Sequence, residues 1–375
     1  MSYFIFFVNL RYKNIINLYN NMIKVFDIRA LFAAAFVTLL TLLLIMIGSR
    51  SLQNFDAALV AYLFGTLFAI FGIAYRYSVW IQRPPTKIYF KRSLTTLFSK
   101  EFIHFSWFTF QDFFKNIVFQ NFILKRGKKK GIAHLMMAIG CTMAFAITIP
   151  LTFGWIHFTL VPETGLNPNV EDIYTAHFFG FEVFNFPIKS IVGFFTFGAL
   201  NWCSVLVIIG ATYFLQKRLK DPGLIATQTF EGDILPLLLL ILVSLTGLGL
   251  TLDYEFMHGK AYEFIAVTHA FFVIIFLIWM PFGKFFHIIQ RPAQIGAHIY
   301  KEVGKKRGMQ ICKQTGIEYT TQLHVSDLKD ITKALGFNLD DEEGNSLLDY
   351  SPEGKRDLLA IAHLNARKES GKFFG

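Results

Sequence analysis

Ten histidines are spread through the 375-residue chain, and three stand where an imidazole needs a reason. His269 and His287 bracket the stretch THAFFVIIFLIWMPFGKFFH, residues 268–287, in which nearly everything between them is apolar. Eighteen residues is five helical turns, so the two rings share one face about 27 Å apart along the axis. Pro281 lies between them and makes that shared face approximate, because proline bends or breaks a helix. An ionisable side chain at membrane depth is costly and points to function. The available uses are a hydrogen bond to a neighbouring helix, proton relay, or ligation of haem iron by a neutral ring nitrogen. Haem requires a second axial ligand from a facing helix. His134 opens the run GIAHLMMAIGCTMAFAITIP directly after KRGKKK, which puts it at the depth of His287.

The cations Lys128, Lys129, Lys130, Lys284 and Arg291 flank this level. They are expected to meet haem propionates and serve equally as membrane-surface charges. His269 has no comparable partner. His157, 23 residues beyond His134, overshoots its depth by about 7 Å on a straight helix. It is the best of the remaining candidates, since His177 and His258 lie in or beside loops. Cys141, Cys203 and Cys312 are far apart in sequence and imply no disulfide framework.

The elements that must position these rings are membrane spans. The chain is 54% hydrophobic, with 44 phenylalanines. A hydrocarbon core of about 30 Å needs about 20 apolar residues per helix. Six stretches qualify: about 30–48, 57–76, 132–153, 190–215, 234–252 and 264–286. The apolar stretch between Phe102 and Leu124 carries too many polar residues to span and is expected as an amphipathic helix at the interface. Lys and Arg crowd the segment 76–130 and follow the fourth span as Lys217, Arg218 and Lys220, whereas the other loops hold one each. That asymmetry predicts both termini in the cytoplasm. The net charge of +10 therefore belongs to a membrane surface rather than to nucleic acid. The N-terminal patch YFIFFV precedes the first basic residue, Arg11, so no signal peptide is expected, and Met22 is an alternative start.

At this point the residues resemble a known family. THAFFVIIFLIWMPFGKFFHIIQRP is similar to the last membrane helix of the gamma subunit of respiratory nitrate reductase, a b-type cytochrome. QDFFKNIVFQNFILKRGKKKGIAHLMMAIG is similar to the entry segment of the heterodisulfide reductase membrane subunit and its relatives. The resemblance covers roughly residues 110–300. It implies a haem b membrane anchor that exchanges electrons between the quinone pool and an iron–sulfur or reductase partner, in the bacterial cytoplasmic membrane. It implies His134, His269 and His287 as haem ligands. One departure stands out: the nitrate reductase subunit has a second histidine ten residues along its early helix, where this chain has Ala144. One haem is therefore expected, and a second is open. The tail departs too. Relatives carry two Cys-x-x-Cys pairs that would bind zinc, whereas here Cys312, Thr315, Ser351 and Gly354 occupy the four places.

The chain is thus expected to be an all-α polytopic helix bundle of about six transmembrane helices with a small cytoplasmic tail. Its expected divisions are an N-terminal segment 1–29, two spans in 30–78, an interfacial segment 79–130, a four-helix haem domain 131–290 and a metal-free tail 291–375. Within the tail, Leu328, Ile331, Leu335 and Phe337, then Leu358, Leu359, Ile361 and Leu364, are spaced for short amphipathic helices. Asp253, Tyr254 and Lys260, near the outer end of the fifth span, are candidates to exchange quinone protons. With no nucleotide loop or nucleophile constellation, the chain is expected to be an electron-transfer subunit rather than a complete enzyme. The competing class is a haem-free transporter or permease, which predicts inverted repeats and midplane charges. A tail-signalling sensor is a third.

Overall fold

The computed structural model describes residues 27–161, 171–340 and 344–369. The patch YFIFFV, Arg11 and Met22 lie outside them. In chain order the first elements are α1 (Ile28–Gly48), α2 (Val60–Gln82), α3 (Pro84–Leu97), α4 (Glu101–Asp112), α5 (Asn121–Leu124) and α6 (Lys128–Thr152). Strands β1 (Ile156–Leu160), β2 (Ile173–Phe178) and β3 (Phe181–Pro187) lead to α7 (Ile191–Lys220), α8 (Pro222–Thr227), α9 (Leu235–Leu252), α10 (Tyr262–Trp279) and α11 (Phe286–Gln290). The chain ends with α12 (Ala293–Arg307), β4 (Met309–Ile311), β5 (Glu318–Thr321), α13 (Gln322–Ala334) and α14 (Pro352–Glu369).

Six helical stretches are long and apolar enough to cross a membrane: Ile28–Gly48, Ala57–Gln82, Lys128–Thr152, Ile191–Lys220, Phe230–Met257 and Tyr262–Trp279. The expected helical bundle is the observed one. Two small sheets were not foreseen. The connection between the third and fourth spans forms an antiparallel sheet with β2 central, and β4 pairs with β5.

The chain divides into two compact units. One takes in the chain up to Val79 and Gln120–His287; the other is Trp80–Phe119 with everything from Ile288 on. The segment after the second span thus groups with the tail.

In the first unit, α6 and α7 approach closely through small residues. A Cβ on Gly140 would lie 2.7 Å from the Cys203 carbonyl oxygen, and one on Gly210 would lie 2.5 Å from that of Ala133. Such contact is how helices pack where no hydrophobic drive separates lipid from protein. The core is built from Val207, Ala211, Leu237, Leu239, Leu240, Phe276 and Phe285.

The sixth span corrects the sequence reading. It ends at Trp279, so His269 and His287 do not ride on one continuous helix. Pro281 cannot donate into the helical ladder. The carbonyls freed by the break are taken by Arg76, whose Nη1 lies 2.7 Å from Pro281 O and 3.0 Å from Gly283 O. The same guanidinium stacks over the Phe286 ring at 4.3 Å.

In the second unit, Phe105, Ile299 and Val303 form the core, with Ile295 and Leu323 against it. The tail apolar positions serve differently than expected. Ile331 is buried, but Leu335, Phe337, Leu359, Ile361 and Leu364 are exposed. The 80–119 segment supplies the packing that those residues were expected to give. Asp327 is the polar centre of this unit. It accepts hydrogen bonds from Arg92 at 2.9 Å and from the buried Tyr300 hydroxyl at 2.8 Å. Asp327→Ala strands the buried Tyr300 hydroxyl, while the half-exposed Arg92 can turn to water, and is expected to destabilise the unit by about 1–3 kcal/mol. Hydrogen exchange should accelerate in α12 and α13 while amides in the spans stay unchanged; unaltered exchange in α12 would contradict this.

Candidate functional site

Three of the four histidines expected to hold iron share one feature: Nδ1 is committed to an oxygen. His134 Nδ1 lies 2.5 Å from Oε1 of Gln120. His269 Nδ1 lies 2.9 Å from Oγ1 of Thr246. His287 Nδ1 bonds the Lys284 carbonyl. Carboxamide and main-chain oxygens only accept, so the His134 and His287 rings are the donors. Thr246 gives its own proton to the Leu242 carbonyl, 2.7 Å away, so its oxygen also accepts from His269. A neutral ring protonated at Nδ1 presents the Nε2 lone pair outward. This outer-shell bond is what fixes the tautomer and orientation of imidazoles that bind metals.

Gln120 and Thr246 had drawn no attention in the sequence. Gln120 reaches His134 because it sits in a left-handed turn, φ 49°, that doubles the chain back before α6. Thr246 lies within the LTGLGLTL run, where the only signal was a hydroxyl 23 residues ahead of a histidine.

His157 does not extend the third span. Helix α6 stops at Thr152, with Pro150 in its last turn, and Gly154 follows at φ 65°. His157 therefore sits on β1. Its ring stacks on His177 with centroids 4.6 Å apart and planes 2° from parallel, and its Nδ1 is buried without a partner. Burial, then the His177 neighbour, pushes its pKa down. It lacks the oriented Nδ1 bond of the other three.

A cavity of ≈ 410 Å³ opens among α2, α6, α7, α9 and α10, and His269 is the one histidine among its described lining residues. Its volume is that of a small-molecule site. Ala144 and Phe145 of α6 line it, as do Cys203 and Ser204 of α7 and Ser244 and Gly247 of α9. Ala144, the place of the early helix's second histidine in the resembled family, thus belongs to the same cavity as His269. No Asp, Glu, Lys or Arg is among the described lining residues.

No family model, curated protein or solved structure matches this chain. What the site does must be read from its own side chains.

His134 packs edge-on to Phe214 at 6.1 Å, and His287 is exposed on its short helix; neither lines the His269 cavity. Lys284, expected beside a propionate, is instead paired with Asp233, which also holds Arg218 at 2.7 Å. That carboxylate ties the end of α7 and the turn after α10 to the start of the fifth span. Lys130, in contrast, stands beside Lys217.

The quinone candidates do not form one group. Asp253 is 1% exposed, with Oδ1 accepting from Ala261 N at 2.9 Å and Oδ2 unpartnered. Tyr254 is 74% exposed and Lys260 also faces outward. The π-helical turn Asp253–Met257 sends neighbouring side chains apart.

In the second unit the four tail positions meet. Cys312 Sγ accepts from Ser351 N at 3.2 Å and from Thr315 N at 3.5 Å. Ser351 Oγ accepts from Gly354 N at 3.0 Å. A Cβ on Gly354 would lie 2.7 Å from the Cys312 sulfur, so backbone fills the space between the two turns. Burial raises the Cys312 pKa, but the hydrogen bonds from Ser351 and Thr315 outweigh it and bring the thiol down to about 6. One thiolate holding two turns together stands where four would bind zinc.

Proposed function

We propose that this chain is a haem b-bearing membrane subunit that passes electrons between a membrane quinone and an iron–sulfur or reductase partner. The observation that carries this reading is the shared Nδ1 bond of His134, His269 and His287 to an oxygen, the tautomer in which a neutral imidazole ligates metal through Nε2.

The donor chemistry of His134 and His287 fits axial ligation. Bound there, haem would supply one-electron transfer. Gln120 and the Lys284 carbonyl would hold the two rings and raise the basicity of each Nε2. Lys130 at the start of α6 and Lys217 at the end of α7, side by side, offer cations for propionates. The His269 cavity fits a second bis-imidazole haem poorly. Its described lining residues offer one imidazole and no cation to meet a carboxylate. An uncharged, partly hydroxyl-bearing cavity suits a quinone ring, with His269 Nε2 as its hydrogen-bond acceptor from the quinol. Asp253, three residues past cavity-lining Leu250, is the group we assign to hold the proton; Tyr254 and Lys260 drop out of that role. The membrane is taken to be the bacterial cytoplasmic one, with both termini inside.

The optical spectrum of the purified protein tests the reading, since only a cytochrome needs a reducible b-type haem; a colourless, folded protein would sink it. For His269→Ala, haem content and spectrum should match the wild type while haem reduction by quinol slows at least tenfold. A halved haem content would instead make His269 a ligand to a second haem.

A further inference from the structure

The segment between the second and third spans carries an aromatic stripe that the rest of its unit leaves bare. Ile103, Trp107, Phe110 and Phe114 recur at intervals of four, three and four residues, the spacing of one helix face. Ile103 is 78% and Trp107 66% exposed. Their rings form a continuous run: Trp107 stacks on Phe110 at 5.6 Å, and Phe110 meets Phe114 at 4.8 Å. The opposite side of the same helix turns inward. Phe105 joins Ile299 and Val303 in the core, and Asp112 binds His298 Nδ1 at 2.7 Å and Asn116 at 2.6 Å. Four large apolar side chains in water would be an aggregation hazard rather than a neutral surface.

We infer that this stripe is a membrane-interface anchor, inserted among the headgroups of a bilayer rather than facing water or another protein. Connectivity is the first argument. Helix α2 runs to Gln82 and α3 begins at Pro84, while α6 begins at Lys128, so the segment is tied to spans at both ends. Two successive spans leave those ends on the same membrane surface. Composition is the second. Residues 83–126 contain eight Lys and Arg, at 83, 87, 91, 92, 100, 115, 125 and 126, against only Glu101 and Asp112. Asp112 is already bound within the unit. A tryptophan-bearing apolar face with basic flanks is the pattern of helices that lie in the plane of an anionic bilayer surface. Because Phe105 and Asp112 bind this helix to α12, the anchor would also hold the C-terminal module, residues 288–369, at the bilayer.

The helix that positions the stripe differs from the single amphipathic helix of the sequence reading. It ends at Asp112 and continues as a π-helical turn, Phe113–Val118, before the left-handed Gln120. The π turn keeps Phe114 beside Phe110 while releasing the chain toward α6.

The full chain reconstituted in phosphatidylcholine vesicles containing phosphatidylglycerol provides the test. A nitroxide is attached at Trp107→Cys, with Phe114→Cys as a second site should the first variant fold poorly. Glu353→Cys, on exposed α14, serves as the aqueous control. The unsubstituted chain corrects for reaction at Cys141, Cys203 or Cys312. Power saturation should show oxygen collisions exceeding those of a water-soluble nickel chelate several-fold at 107 and 114, with the order reversed at 353. Chelate collisions dominating at 107 and 114 would mean water. Low collisions with both reagents would mean a protein cover. Either result overturns the assignment.

Discussion

Replacing His134 or His287 by alanine is expected to remove the bis-imidazole b-type spectrum and to lower bound haem at least tenfold in each variant. The two losses should be equal in kind, because an axial pair acts as a unit. A smaller effect is expected one step out. Gln120→Leu leaves the His134 ring in place but removes the acceptor on Nδ1. Losses of such outer-shell bonds lower metal affinity about 10–100-fold. The haem should then be retained more weakly, with a shifted midpoint potential. If both alanine variants keep wild-type haem content and spectrum, the axial assignment is wrong. If Gln120→Leu is indistinguishable from wild type, the Nδ1 bond has no orienting role.

The second large effect is expected at Cys312. Its sulfur holds the Thr315 and Ser351 turns together, so Cys312→Ala should leave a buried amide and a half-buried one without an acceptor and lower the melting point of the second unit by several degrees. The pH dependence gives a sharper check. The thiol pKa is depressed from an ordinary value near 9 to about 6. A group that ionises more readily in the folded state contributes stability that is fully present above its unfolded pKa. That contribution is lost as the pH falls through the folded value. Wild-type stability minus that of Cys312→Ala should therefore shrink from pH 9 to pH 5, with most of the change above pH 6. Taking the difference cancels other titrating groups such as His324. A difference that stays constant across that range would show that the sulfur is held as a neutral thiol. Elemental analysis should find no stoichiometric zinc; one tightly held zinc per chain would mean that other residues have rebuilt a site around Cys312.

Much of the bundle was legible in one dimension. A run of about 20 apolar residues is a span whatever its neighbours are, because lipid demands that the backbone bond within itself. The six spans therefore follow from composition alone. Side-chain type singled out His134, His269 and His287 as candidates, since an imidazole in an apolar run has few uses. The zinc-site spacing was legible as well: residues 312, 315, 351 and 354 do converge.

What lay beyond the sequence in each case was a partner remote along the chain. The end of the sixth span depends on Arg76, more than 200 residues away, which donates to the Pro281 and Gly283 carbonyls at the break. The separate ends of His269 and His287 follow from that break, so helical periodicity could not carry one face through it. Which ring nitrogen each histidine offers depends on Gln120, Thr246 and the Lys284 carbonyl. The second unit's core depends on Phe105 meeting Ile299 and Val303, across nearly 200 residues and four of the spans. Composition and local period determine what a segment must be. Long-range hydrogen bonds and packing decide where it stops and what its polar atoms face, because those energies are exchanged between residues that no window of sequence contains together.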